Sequence, residues 1–315
     1  MKSKYLIITR RDFIKGAAAF ILTARGMRFF ETKRYVEESI DIMGTQARIS
    51  VFHDDKEEAK EGISAAFREL RRVDLLMSNF KVTSDIYRIN SQGFLLGASE
   101  ETINVIRRAN YYSELTGGAF DISIQSLVES GGILNVGYKD IWIHNRDVKL
   151  KPGMKITLGG IGIGHAVDRA TEVLKQSGIQ HALVNIGGDI KALGGKGDLI
   201  AWRVGIKDPR RNERYLAIVD LEDSSLATSG NYERSHILNP KTGKLPEGIE
   251  SVTVITRDCI DADVLSTAVF VLGPEKGLEL IRKLNAECIM VTKDGILKVE
   301  DSGAGMPSRI RYTLY

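Results

Sequence analysis

The sequence predicts an α+β fold of mixed and antiparallel sheets packed with helices. Strand-like and helical runs mix along the chain without the strict alternation that builds a doubly wound parallel sheet. The chain has 315 residues, 43% of them hydrophobic. That suffices for a sizeable core, in one large domain or two intimate ones.

The first 34 residues read as separate from the fold. Thr9-Arg10-Arg11-Asp12-Phe13-Ile14-Lys15 resembles a twin-arginine export signal. The apolar stretch from Gly16 to Ala24 is far short of the roughly 20 residues that span a membrane, and it fits a signal h-region. Leu22-Thr23-Ala24 is a poor cleavage site, so cleavage and a retained anchor both stay open. The fold is expected over residues 35–315, with no later segment able to cross a membrane.

From residue 35 the elements follow from periodicity. Tyr35-Val36 and Ala47 to Phe52 form a strand pair around the turn-like Met43-Gly44-Thr45. Lys56 to Met77 is an amphipathic helix, because Ile63, Phe67, Leu70, Val73 and Met77 recur at three- and four-residue intervals. Ser78 to Asn90 reads as loop, Thr102 to Leu115 as a second helix, and Gly117 to Ile122 as a glycine turn. Strand signals follow at 141–143 and 156–158. Helix 165–174 is next, then strands at Ala182–Asn185, from Trp202, and at Ala217–Leu221, Ser251–Thr256, Cys288–Thr292 and Ile296–Val299. Helix Glu275–Leu284 separates the Ser251 and Cys288 strands.

A net charge of +3 with no basic stripe argues against nucleic acid as a partner. Cys259 and Cys288 fall in apolar, β-rich surroundings without metal-like spacing, so core thiols are expected and a disulfide is unsupported.

Two stretches carry candidate chemistry. Leu158 to Gly164 is a glycine loop before a helix, where backbone N–H groups can approach a phosphate; no GKS/T follows, so it is not a P-loop. Asp261 to Gly273 reads as a buried helix with Asp263 and Thr267 four apart on one face and Ser266 bordering it. A carboxylate with hydroxyls is a hard, oxygen-only set suited to magnesium, although an Asp near a helix start also serves as a cap.

Nine stretches, taken in order, carry a resemblance. The first are Met43-Gly44-Thr45, Met77 to Phe80 with Ser84-Asp85 and Asn90, Gly117 to Asp121, and Leu158 to Asp168. Val184 to Asp189, Trp202 to Pro209, Ser229 to Tyr232, His236 to Gly243 and Asp261 to Gly273 follow. Each is short, but their order and spacing are similar to the ApbE family of FAD:protein FMN transferases.

The resemblance implies a Mg²⁺-dependent enzyme that splits the pyrophosphate of FAD. It would move the FMN half onto a threonine hydroxyl of an acceptor protein and release AMP. It implies metal ligands at Asp263 and Thr267, a contact from Ser266, and a backbone oxygen from Gly160. It places Phe80, where the family usually has tyrosine, against the flavin; the alternative for Phe80 is an ordinary core aromatic. Met43, Ala119, Phe120, Asp121 and Ile237 would line the rest of the FAD site. His236 is expected to act as general base, with a structural histidine bonded to Asn239 or the Pro240 turn as the alternative.

Thr157 and Ile163, also in the FAD site, depart from the family, which usually has an Asp and a charged residue there. The Tyr232–His236 segment is also short. Two other readings therefore stand beside transfer: an FAD-binding protein, and a Mg²⁺-dependent hydrolase giving FMN and AMP. The expected acceptors are membrane or exported redox proteins, met outside the cytoplasm, with membrane association possible through the N-terminus. Ser302-Gly303-Ala304-Gly305 lacks the hydroxyls needed for self-modification.

Overall fold

The computed structural model describes residues 34–130, 137–196, 201–211, 214–231, 237–284 and 286–295, with the backbone of 297–300 and 309–311. The stretch read as an export signal, Ile296, Ser302–Gly305 and His236 lie outside the described residues.

Strands β1 (Arg34–Ile42) and β2 (Thr45–His53) pair antiparallel with Ile42 opposite Thr45. The two residues between them, Met43 and Gly44, both have positive φ (53° and 74°), which matches strand twist in a tight hairpin. Helix α1 (Lys56–Met77) is capped by Asp55, whose carboxylate accepts from the Glu57 and Glu58 amides, and it buries the predicted stripe.

The segment read as loop contains helix α2 (Asp85–Gln92). Ser84 caps it by accepting from the Tyr87 amide, and Gly93 ends it at φ 75°, so short-range capping outweighs the sparse apolar pattern. Next come β3 (Phe94–Leu95), α3 (Glu100–Leu115), α4 (Ile124–Ser130), β4 (Ile141–His144) and β5 (Asp147–Leu150), the three strands forming one small sheet. No strand forms at 156–158. The N–H and C=O of Ile156 are both taken by the Asn90 side chain, at 2.8 and 2.7 Å, which leaves no ladder to join.

Helix α5 (Gly162–Gln176) leads into β6 (Ala182–Ile186) and β7 (Asp189–Leu193). Strands β8 (Trp202–Lys207), β9 (Tyr215–Leu221), β10 (Ser225–Gly230) and β11 (Ile249–Thr256) follow, then α6 (Cys259–Leu272) and α7 (Pro274–Lys283). β12 (Glu287–Thr292), β13 (Leu297–Glu300) and β14 (Arg309–Arg311) complete the described elements.

The main sheet runs β1-β2-β6-β7-β10-β11-β12-β13, every neighbour antiparallel. Strands β11 and β12 are buried on both faces, and the period of two divides them cleanly. Val252, Val254, Cys288 and Met290 join the large core beneath the helices, whereas Ile255, Ile289 and Val291 join a second core with Trp202, Ile206 and Val219 of the β8–β9–β14 sheet. Cys259 opens α6 and Cys288 lies in β12; both are buried, as expected of core thiols. No helix among the described residues is long and apolar enough to cross a membrane.

Helices α1, α3 and α5 are tied by ion pairs. Arg72 bonds Glu69 (2.8 Å) and Glu101 (2.6 Å), Arg169 bonds Glu69 (2.9 Å), and His165 bonds Glu101 (2.8 Å). The His165 hydrogen bond, with Arg72 behind it, holds the Glu101 carboxyl down at about 2 against the opposing effect of burial. A depressed carboxyl contributes stability above its unfolded pKa and loses it as pH falls through the folded one. The melting-temperature gap between the native protein and Glu101→Gln should therefore hold near neutrality and close between about pH 4.5 and 2. A gap independent of pH over that range would show that the network adds nothing.

Candidate active site

The site forms where the glycine loop meets α6. Gly160 has φ 82°, and a Cβ there would lie 3.1 Å from Thr267 Oγ1 and 3.3 Å from Phe120. Only glycine combines that backbone with that contact. The loop, the 119–121 segment and α6 thus converge on one point.

Thr157 supports the loop. Its hydroxyl accepts from the Gly159 amide at 3.1 Å, and its own amide bonds the Ile122 carbonyl at 2.8 Å. A hydroxyl acceptor two residues before an amide closes the same kind of turn that an Asp would. Ile163, without a charge, packs half-buried against the main core.

Asp263 sits in the second turn of α6 and is 7% exposed. Its Oδ2 accepts from the Gly164 amide at 3.0 Å, in the first turn of α5. The capping expectation for this residue is met in an unexpected form: Asp263 caps another helix. Burial pushes its carboxyl up, and the Gly164 amide and a hydrogen bond with Asp189 partly offset this. Burial, then the Asp263 charge beside it, pushes Asp189 well above the ordinary carboxylate range. Two carboxyls in contact resist ionising together, which is the direction in which Asp189 is pushed.

Hydroxyls complete the cluster. Ser229, from β10, lies 2.8 Å from Ser266 Oγ and 3.2 Å from Thr267 Oγ1, while Ser266 donates to the Asp263 carbonyl at 3.0 Å. Two carboxyls, three hydroxyls and the Gly160 backbone make an oxygen-only donor set of the kind that suits a hard divalent cation. The residues present fit magnesium.

Around this cluster the predicted flavin-side residues divide. Ala119 and Phe120 are buried beneath the loop. Asp121 is turned to structure: its carboxylate accepts from the amides of Ser123 and Tyr138 at 2.8 and 2.9 Å, and burial raises its pKa. Ile237 is fixed to Asn231 through both of its backbone groups, at 3.0 Å each. The following turn reaches the glycine turn, since a Cβ on Gly118 would lie 3.6 Å from Lys241 Cε.

Met43 lies at the end of the main sheet, beside the β6–β7 turn where Gly187 faces Thr45, one strand start from Asp189. Phe80 is 91% exposed, which excludes the core-aromatic alternative. Its neighbour Asn79 donates to the Ile156 carbonyl at 3.3 Å, which ties this stretch of backbone to the segment that leads into the glycine loop.

Asp189, Ser229 and Asp168 were not singled out from sequence, although each lies in a motif stretch. Two sit on strands and one on a neighbouring helix, and only tertiary packing brings them to α6.

An α+β scaffold with a glycine loop set against a carboxylate–hydroxyl cluster is the architecture shared with the flavin transferases. The chain belongs to the ApbE family, whose sequence model matches residues 43–290. It is 28% identical to the FAD:protein FMN transferase of Escherichia coli K12 over 290 residues, covering 80% of this chain and 83% of that one. The enzyme of the same description from Treponema pallidum is 27% identical, covering 86% and 87%. Among solved structures, the ApbE protein of Thermotoga maritima superposes with TM-score 0.79 at 28% identity, over 86% of this chain and 98% of that one. The flavin transferase ApbE of Vibrio cholerae gives 0.76 at 27%, over the same shares.

Proposed function

We propose that this chain transfers the FMN moiety of FAD to a threonine hydroxyl of an acceptor protein, with AMP as the second product. The observation that carries the reading is the meeting of Gly160 with Thr267 beside buried Asp263. Asp263, Thr267, Ser266 and the Gly160 backbone would hold Mg²⁺. Bound there, the ion would neutralise pyrophosphate charge, which is most of what phosphoryl-type transfer needs beyond positioning.

The chain's own residues supply the rest. Exposed Phe80 offers a face to the isoalloxazine, and loop amides approach the phosphates. Met43, Ala119, Phe120 and Ile237 border the same ligand, with Thr157 and Ile163 shaping the loop. In the reaction the threonine oxygen bonds to the FMN phosphorus, the bridging P–O bond breaks, and the bridging oxygen leaves on AMP. The hydroxyl proton passes to His236 as general base.

The test mixes the protein with FAD, Mg²⁺ and a domain bearing an acceptor threonine, and reads flavin fluorescence on the acceptor band of a denaturing gel. A fluorescent band that requires Mg²⁺ is expected. FMN and AMP without a band would point to hydrolysis, and saturable FAD binding without turnover to a binding protein.

We further infer that residues 1–34 form an export signal or anchor ahead of the 35–315 domain, placing the acceptors among membrane or exported redox proteins. Exchanging Arg10 and Arg11 for lysine should keep the protein in the cytoplasm on cell fractionation; unchanged export would refute the twin-arginine reading.

A further inference from the structure

Helices α5 and α6 cap each other. The residues that should cap them, Ile161 and Asp258, make no side-chain cap bond. Instead the Gly164 amide of α5 is bonded by Asp263 of α6, and the Cys259 and Ile260 amides of α6 are bonded by the two carboxylate oxygens of Asp168 on α5, each at 2.9 Å. Gly164 and Asp168 are four apart, as are Cys259 and Asp263, so each pair lies on one helix face. The contacts run in opposite order along the two helices, which makes the pairing antiparallel.

Strand β7 borders both ends of this arrangement. Asp189 and Lys191, two apart, share a face of the strand. Asp189 reaches Asp263, and Lys191 Nζ bonds Asp168 at 2.7 Å and Asp258 at 3.0 Å. Each carboxylate of the clasp thus has a partner from the same strand.

We propose that Asp168 is a positioning residue for catalysis: by fixing the first turn of α6, with Lys191 as its counter-ion, it sets where Asp263 and Thr267 stand against Gly160. This rests on the reading of that face as the Mg²⁺ site. Asp168 itself touches no ligand in this scheme. It acts through the two amides it binds, whose removal frees the turn that carries the ligand face.

The test uses the full chain with Asp168→Asn, Asp168→Glu and Lys191→Met. Calorimetric titration with MgCl₂ should show Mg²⁺ affinity about tenfold or more weaker in Asp168→Asn and partly recovered in Asp168→Glu, at native-like circular dichroism. In metal-free protein, hydrogen exchange of the 259–263 amides should speed up in Asp168→Asn. A lower melting temperature with native Mg²⁺ affinity would reduce Asp168 to a structural role and overturn the proposal.

Should Asp168→Asn fail to fold, Lys191→Met carries the test, and native affinity and exchange there overturn it equally. The two readings separate cleanly. Native protein that binds no Mg²⁺ would sink the metal site while faster exchange still supports the clasp; native protein that binds Mg²⁺ with indifferent variants would sink only the clasp.

Discussion

Asp263→Ala should lower the rate of flavin transfer by on the order of 10³-fold, because a metal clamp on a phosphoryl group supplies several kcal/mol of transition-state stabilisation. The fold should survive this change. It leaves the Gly164 amide without its acceptor, a cost of about 1–3 kcal/mol, and it removes the charge that faces Asp189, an opposing gain. Transfer rates from the fluorescent acceptor band, with melting curves of both proteins, check the two halves. Activity within tenfold of native would remove Asp263 from the metal, whatever the melting curve did.

Gly164→Ala is expected to damage stability and activity together. A Cβ at Gly164 would lie 2.5 Å from the Cys259 carbonyl oxygen and 2.8 Å from the Asp263 Cβ. Both contacts are inside van der Waals distance, and the first is with backbone, which cannot swing aside. The helices must separate, at a cost of about 1–3 kcal/mol. For a domain of this size that is roughly 3–10 °C in melting temperature. Separation also lengthens the Gly164–Asp263 bond and pulls Asp263 away from the loop. Melting by circular dichroism and a Mg²⁺ titration would record it, and a native-like result in both would mean that the helix pair is more pliable than this contact implies.

Local residues determined much of this protein by themselves. The α1 stripe, the Met43-Gly44 hairpin and the apolar run of α6 are legible because helix and strand period, turn chemistry and capping act over a few residues. Asp263, Ser266, Thr267 and Gly160 were legible as candidates for the same reason, helped by motif order. Where local signals competed, sequence reading failed: Ser84 capped a helix in an expected loop, and Asn90 took the backbone groups that a strand at 156–158 required.

What only the tertiary structure decided is which distant groups meet. Ser229 reaches Thr267 across 38 residues of sequence, and Asp168 reaches Cys259 across 91. Asp189 is pushed above the ordinary carboxylate range, by burial and by the neighbouring Asp263, only because β7 packs against α6. A charge in a strand or a serine before a glycine carries no local trace of such a meeting. Burial and contact, which set pKa and hydrogen bonding, are properties of packing between elements, and periodicity within one element does not encode its neighbours.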